Sequence, residues 1–333
     1  MLPVIGYSVS LSADGSRLAI GAPFNAATGF HAGHVRIYNL NGNLWNQIGA
    51  DIDAIAAGDE NGCSVSLSAD GNIVAIGARY NAGLGNYRGN VRIFDLNGNI
   101  WVQKGGDING EADNDFSGHS VSLSADGMRV AIGARNNDAT GSNAGHVRIY
   151  DWDGSIWGQV GADIDGEATE DQSGHSVSLS ADGSHLAIGA PLNDGIGSFA
   201  GHVRIYKWNG ISWGQLGLDI DGEASGDRNG ASVSLSADGS RVAIGANGND
   251  GNGSNSGHVR VYDWDGSMWV QAGADIDGEA AGDNSGYYVS LSADGNRISI
   301  GAPYNSGNGT DAGQVRIFSW NGIVWSQTSI DID

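Results

Sequence analysis

Gly118-His119-Ser120-Val121-Ser122-Leu123-Ser124-Ala125-Asp126-Gly127-Met128-Arg129-Val130-Ala131-Ile132-Gly133-Ala134 is the stretch that decides the fold of this chain. Ser120 to Ser124 alternates polar and apolar with the two-residue period of a strand whose two faces differ. Ala125-Asp126-Gly127 then reads as a tight turn, because Asp-Gly supplies the positive φ angles a hairpin needs. Arg129 to Ala134 reads as a second strand. The whole stretch recurs: its opening glycine falls at Gly6, Gly62, Gly118, Gly174, Gly230 and Gly286, a period of 56 residues without insertion or deletion. Six such copies would need 336 residues and the chain has 333. A unit of this length buries its apolar face only against its neighbours, as in a solenoid, a propeller or a similar array.

Outward from this hairpin, about ten residues from Arg135 through Asn137-Asp138 to Gly145 lead to a third strand, His146-Val147-Arg148-Ile149-Tyr150. Asp153-Gly154 closes a second hairpin, and the other copies carry Asn41-Gly42, Asn97-Gly98, Asn209-Gly210, Asp265-Gly266 and Asn321-Gly322 there. An outer strand with Trp157, Gln159 and Val160 follows, then an acidic connection, Asp163-Ile164-Asp165-Gly166-Glu167, to the next opening glycine. Four antiparallel strands per copy, six times over, predict an all-β, six-bladed β-propeller. The blades are expected at about 4–53, 60–109, 116–165, 172–221, 228–277 and 284–333, in one domain. The ring is expected to close by packing of the last blade on the first, with Met1 to Ile5 taking no part in the last sheet. Strand parity puts the two short turns of each blade at one end and its two long loops at the other.

The composition narrows the function. Sixteen Lys and Arg against 38 Asp and Glu give a net charge of −22, which disfavours nucleic acid and anionic membranes. No stretch approaches the roughly 18 apolar residues of a spanning helix, so no membrane insertion is expected. Cys63 is the only cysteine, so no disulfide forms within the chain. Met1-Leu2-Pro3-Val4 lacks the basic start and apolar run of a signal peptide.

Gly174-His175-Ser176-Val177-Ser178-Leu179, followed by Ala187-Ile188-Gly189-Ala190-Pro191 and Gly201-His202-Val203-Arg204-Ile205-Tyr206, resembles the FG-GAP repeat of integrin-α-type propellers. The family's phenylalanine is replaced by Ser117, Ser173, Asn229 or Ser285. Its calcium sites lie in an extended, Asp-rich first turn, here shortened to Ala125-Asp126-Gly127, so they do not carry over. The resemblance implies an extracellular or cell-surface propeller used for recognition or adhesion rather than catalysis.

The acidic connections are the sharpest candidate metal sites. Asp163, Asp165, Glu167 and Asp171 stand at relative positions 1, 3, 5 and 9, an echo of an EF-hand loop, with Asp219, Asp221, Glu223 and Asp227, and Asp275, Asp277, Glu279 and Asp283, as the next two sets. Calcium is the cofactor this spacing suggests; a solvated acidic loop is the alternative. Variable long-loop residues are the candidate ligand-binding set: Tyr80, Tyr87 and Arg88, with Asn137-Asp138, Asn193-Asp194 and Asn249-Asp250. The recurring arginine of the third strand, Arg36, Arg92, Arg148, Arg204, Arg260 and Arg316, reads as a structural cation paired across blades, or as a ligand contact. The recurring Trp45, Trp101, Trp157, Trp213, Trp269 and Trp325 read as packing residues, or as platforms for a sugar ring. His119, His146, His175 and His202 either bind a transition metal or fall incidentally where strands begin.

No nucleophile with a partnered base recurs and no Gly-rich phosphate loop is present, so no enzyme is expected. The leading expectation is a non-enzymatic surface recognition module, monomeric or part of a larger surface protein, meeting a protein partner through its acidic long loops. A multivalent lectin with a carbohydrate in each blade junction, and a purely architectural repeat domain, are the alternatives.

Overall fold

The computed structural model describes residues 6–83, 85–328 and 330–332. Among them there is no helix, and the strands form six antiparallel sheets of the six-bladed β-propeller class, as the repeat predicts. In the third blade the order is Ser120–Leu123, Arg129–Ala134, His146–Trp152 and an outer strand in two pieces, Trp157–Gln159 and Ile164–Asp165. Both outer pieces pair antiparallel with His146–Trp152, the first with its end and the second with its beginning. The outer strand is therefore one strand broken by a bulge at 160–163. That bulge holds Asp163 against the third strand. The expectation for Met1 to Ile5 lies outside the described residues.

The chain divides into two compact units, Met1–Asp165 and Gly166–Asp333. Within each unit the core lies between adjacent sheets. In the first, Ala75, Val91 and Ile93 of one blade meet Val130, Ile132 and Tyr150 of the next. In the second, Ala187, Val203 and Ile205 meet Val242, Ile244 and Tyr262. Burying each branched aliphatic side chain contributes about 1.5–3 kcal/mol, so the central strand pairs supply most of the apolar stabilisation.

The small and polar letters of the repeat explain how one sheet registers on the next. Ser64 Oγ donates to Gly118 O (2.8 Å), and Ser66 Oγ accepts from Leu123 N (3.0 Å), so both serines of Ser-Val-Ser-Leu bridge to the following blade. Ser176 and Ser178 do the same to Gly230 and Leu235. The glycine of Ile-Gly-Ala permits this approach: a Cβ on Gly77 or Gly189 would collide with the carbonyl oxygen of Gly118 or Gly230. The third-strand arginine spans the same junction deeper in, with Arg148 Nη2 donating to Asn109 O at 2.8 Å and Arg260 Nη2 to Asp221 O at 2.7 Å. Its guanidinium also lies over its own strand's aromatic ring, Arg148 on Tyr150 and Arg260 on Tyr262. The outermost bond belongs to tryptophan: Trp157 Nε1 donates to Lys104 O (2.8 Å) and Trp269 Nε1 to Leu216 O (2.8 Å). Arginine, through Nη2, and tryptophan thus tie the junction together, and the tryptophans pair with one another, as Trp152 does with Trp157.

The glycine constraint gives a direct test. Gly189→Ala should destabilise the protein by about 1–3 kcal/mol, the usual cost of forcing an atom into a packed site, whereas Gly214→Ala, with nothing within 4 Å of the new Cβ, should leave the melting temperature unchanged. Equal thermal shifts in circular dichroism for the two variants would show that the close approach is not constraining.

Candidate functional site

The third strand begins with histidine in four blades, at His34, His146, His202 and His258. Each is buried, and the fold surrounds it with carboxylates from two directions. One is the bulge aspartate of its own outer strand. The other, in three cases, is a glutamate from the connection preceding its blade. The resulting groups are Glu111–His146–Asp163, Glu167–His202–Asp219 and Glu223–His258–Asp275, each with one ligand atom per residue and all such atoms within 4.8 Å of one another. His34 has Asp51 and Asp53 instead.

The distances repeat closely. His Nδ1 to the bulge aspartate Oδ2 is 3.7 Å for His146–Asp163, 3.6 Å for His202–Asp219 and 3.8 Å for His258–Asp275. To the glutamate Oε2 it is 3.9 Å for His202–Glu167 and 4.0 Å for His258–Glu223. These are too long for hydrogen bonds. The other oxygen of each carboxylate is held elsewhere. Gln159, Gln215 and Gln271 each donate to Oδ1 of the bulge aspartate, all at 2.6 Å. Arg148, Arg204 and Arg260 approach Oε1 of the glutamate at 3.4–3.5 Å. The three aspartates, and Glu167 and Glu223, therefore have one oxygen held by a neighbour and one facing the imidazole.

Burial decides the charge of these histidines. Burial first, and then the neighbouring Arg148 or Arg204, pushes the imidazoles of His146 and His202 down to about 4. His258 and His34 are lowered for the same reasons, burial first and then Arg260 or Arg36. The rings are neutral at physiological pH. His146 makes no hydrogen bond through either ring nitrogen, and the Nε2 atoms of His202 and His258 are buried without one. Burial, and Asp163 beside it, raise the Glu111 carboxyl above its ordinary value against the opposing pull of Arg148.

The structure redistributes the residues that sequence spacing grouped together. Asp163 and Asp165 both face His146, but Glu167 belongs to His202 and Arg204 of the following blade. Asp171 is buried and accepts from Ala168 N (2.9 Å) and Asn193 Nδ2 (3.0 Å). Asp227 accepts from Glu223 N and Ala224 N, and Asp283 from Ala280 N and Asn305 Nδ2. Asp219 and Asp275 join the histidine clusters with Glu223 as above. Asp221 and Asp277 serve through their backbone carbonyls, which accept from Arg260 and Arg316, and Glu279 accepts from Gln314 Nε2 (2.9 Å). The members of each EF-hand-like set thus divide among different partners, because the extended connection runs from its own blade to the following one instead of wrapping around a single point.

The expected ligand-binding loops are likewise occupied by their own structure. Asn137, Asn193 and Asn249 are buried and accept from Ala139 N, Gly195 N and Gly251 N. Asp138, Asp194 and Asp250 accept from Asn143 N, Phe199 N and Asn255 N. Tyr80 and Tyr87 pack edge-to-face with Phe116 nearby, and Arg88 pairs with Asp113 at 2.9 Å. Of the four histidines singled out in sequence, His146 and His202 enter the clusters and the half-buried His119 and His175 do not. His34, His258, Glu111 and Asp51 were missed. The signal was present across the copies: where Ala54-Ile55 replaces Gly-Glu, the following blade begins its third strand with Asn90 instead of histidine.

Solved structures share this fold. A Bacteroides uniformis protein described as a candidate 6-phosphogluconolactonase matches with TM-score 0.66 at 12% identity, over 98% of this chain and 84% of that one. The periplasmic gluconolactonase of Pseudomonas aeruginosa gives 0.64 at 16%, over 98% and 84%, and the hydrazine synthase of Kuenenia stuttgartiensis gives 0.60 at 14%, over 95% and 83%. No family model and no curated protein matches the chain, so the FG-GAP resemblance holds only at the level of the propeller fold. At these identities the likeness establishes the fold. It also corrects the expectation of a non-enzymatic recognition, lectin or architectural module: the solved propellers named here are described as enzymes.

The buried imidazoles predict how stability follows pH. In the unfolded chain these histidines take up a proton near pH 6.5, whereas in the folded chain His146 and His202 resist protonation until about pH 4. Acid therefore favours the unfolded state: the stabilisation is complete above pH 6.5 and is lost as pH falls toward 4. In chelator, the melting temperature should fall across this window, and it should fall less steeply in a His146→Gln, His202→Gln double variant. Identical slopes would contradict burial of the neutral rings.

Proposed function

We propose that this chain is a hydrolase that opens esters of polyhydroxylated acids, cyclic esters included, at the blade-junction clusters. The observation that carries this reading is the threefold recurrence of a carboxylate, a guanidinium and a neutral imidazole around one half-buried point. In the third blade Glu111, its carboxyl raised by burial, is the general base that takes a proton from water. The water oxygen attacks the ester carbonyl, Arg148 Nη1 stabilises the charge that develops on the carbonyl oxygen, and the carbon–oxygen ester bond breaks as Glu111 passes the proton it took to the leaving oxygen. The neighbours described as lactonases support this choice of substrate class. Between their two substrates, the net charge of −22 and the carboxylates at each cluster favour the uncharged sugar lactone over its phosphorylated form. The carbohydrate partner expected from sequence is, on this reading, the substrate.

Acid release from glucono-1,5-lactone, 6-phosphogluconolactone and simple aryl esters tests the proposal. The wild type should accelerate the unphosphorylated lactone most, and the Glu111→Gln, Glu167→Gln, Glu223→Gln triple variant should lose about 100-fold or more, the range for removing a general base. Turnover no faster than spontaneous hydrolysis, or undiminished turnover in the triple variant, would overturn it.

A further inference from the structure

We propose that Glu111–His146–Asp163, Glu167–His202–Asp219 and Glu223–His258–Asp275 are three equivalent sites for a divalent transition ion of the zinc or cobalt class. The inference stands on the geometry of the clusters and not on the hydrolase reading: a bound ion takes up the glutamate as a ligand, so the base role proposed above belongs to the metal-free cluster.

The donor set comes first. Each group offers one imidazole nitrogen and two carboxylate oxygens, a combination that suits zinc and cobalt; calcium takes six to eight oxygens and no nitrogen. The histidines are 0%, 2% and 1% exposed, so the nitrogen donors lie on rigid strand positions. His146 Nδ1 is buried, lacks any hydrogen bond, and lies 3.7 Å from Asp163 Oδ2 and 3.9 Å from Asp165 Oδ1. Two donors bonded at about 2.0–2.1 Å to one ion in tetrahedral geometry stand about 3.4 Å apart. The imidazole–carboxylate gaps of 3.6–4.0 Å at His202 and His258 are too wide for a hydrogen bond and close onto an ion with shifts of a few tenths of an ångström, and in all three groups the ligand atoms lie within 4.8 Å of one another.

The second shell is already in place. The glutamines at 159, 215 and 271 anchor one oxygen of each aspartate, and the arginines at 148, 204 and 260 lie against one oxygen of each glutamate. Such outer partners orient metal ligands, and here they leave the inner oxygens pointing at the imidazole.

The remaining blades act as internal controls. In the sixth, Gln314 takes the histidine position and its Nε2 donates directly to Glu279 Oε2 at 2.9 Å, closing the gap that stays open at the histidines. In the second, histidine and glutamate are lost together, to Asn90 and the Ala54-Ile55 connection. In the first, Arg36 engages both oxygens of Asp51, at 2.8–3.1 Å, and leaves neither for an ion beside His34.

The test uses the tag-free full chain, stripped with chelator and titrated separately with zinc, cobalt and calcium chloride. Bound metal is read by calorimetry and by elemental analysis after desalting, and cobalt also by its visible d–d bands. About three zinc or cobalt ions per chain are expected, with no competition from millimolar calcium. His146→Gln, His202→Gln and His258→Gln, which introduce the residue the sixth blade already carries at this position, should each remove one ion and together remove all three while far-ultraviolet circular dichroism stays unchanged. If the triple variant fails to fold, the corresponding Asp163, Asp219 and Asp275 to Asn changes, which keep the glutamine hydrogen bond, should lower the stoichiometry in the same steps. No binding by the wild type, unchanged stoichiometry in the variants, or displacement by calcium would overturn the proposal.

Discussion

Adjacent blades meet backbone to backbone, and the rest of the structure depends on that approach. A single carbonyl, Gly230 O, accepts from Ser176 Oγ at 2.9 Å and lies where a Cβ on Gly189 would have to go. Gly118 O has the same relation to Ser64 and Gly77. Only glycine leaves room for the carbonyl and only a short hydroxyl reaches it, so the sequence holds glycine and serine at fixed offsets, and an insertion anywhere between them would break the register. This is why the repeat keeps its length. It is also why a residue at the start of the third strand meets the same part of the preceding connection in blade after blade.

The clusters are a consequence of that registration. Histidine at the start of the third strand, aspartate in the outer-strand bulge and glutamate on the preceding connection come from three elements, and none would touch another without the junction. The departures are as informative as the repetition. Where an amide replaces the imidazole at Gln314, the cavity is closed by a hydrogen bond. In the second blade the glutamate and the histidine are absent together, whereas the sixth keeps Glu279 opposite Gln314 and the first keeps His34 beside Asp51 and Asp53.

Much of the architecture was legible in the sequence because it is dictated by local rules. Period-two alternation fixed the strands, Asp-Gly and Asn-Gly the hairpins, and the invariant third-strand arginine announced a buried cation with a partner across the junction. The site was hidden because its members are distant in sequence and converge only through blade packing. Asp163, Asp165, Glu167 and Asp171 looked like one ligand set from spacing alone, but the connection passes from one blade to the next and its last aspartate caps the loop's own backbone, so they meet different partners. The functional expectation failed for a related reason. A search for one asymmetric site passes over a cluster that is itself repeated, and His146 read alone was only a histidine at the head of a strand.

The most direct measurement is anomalous diffraction from crystals of the chain grown with cobalt, recorded on both sides of the cobalt absorption edge. The account predicts peaks about 2.1 Å from the Nδ1 atoms of His146, His202 and His258, and none beside Asn90 or Gln314. Absence of density at those three histidines, or peaks confined to the Ala-Asp-Gly turns at the opposite end of the blades, would contradict it.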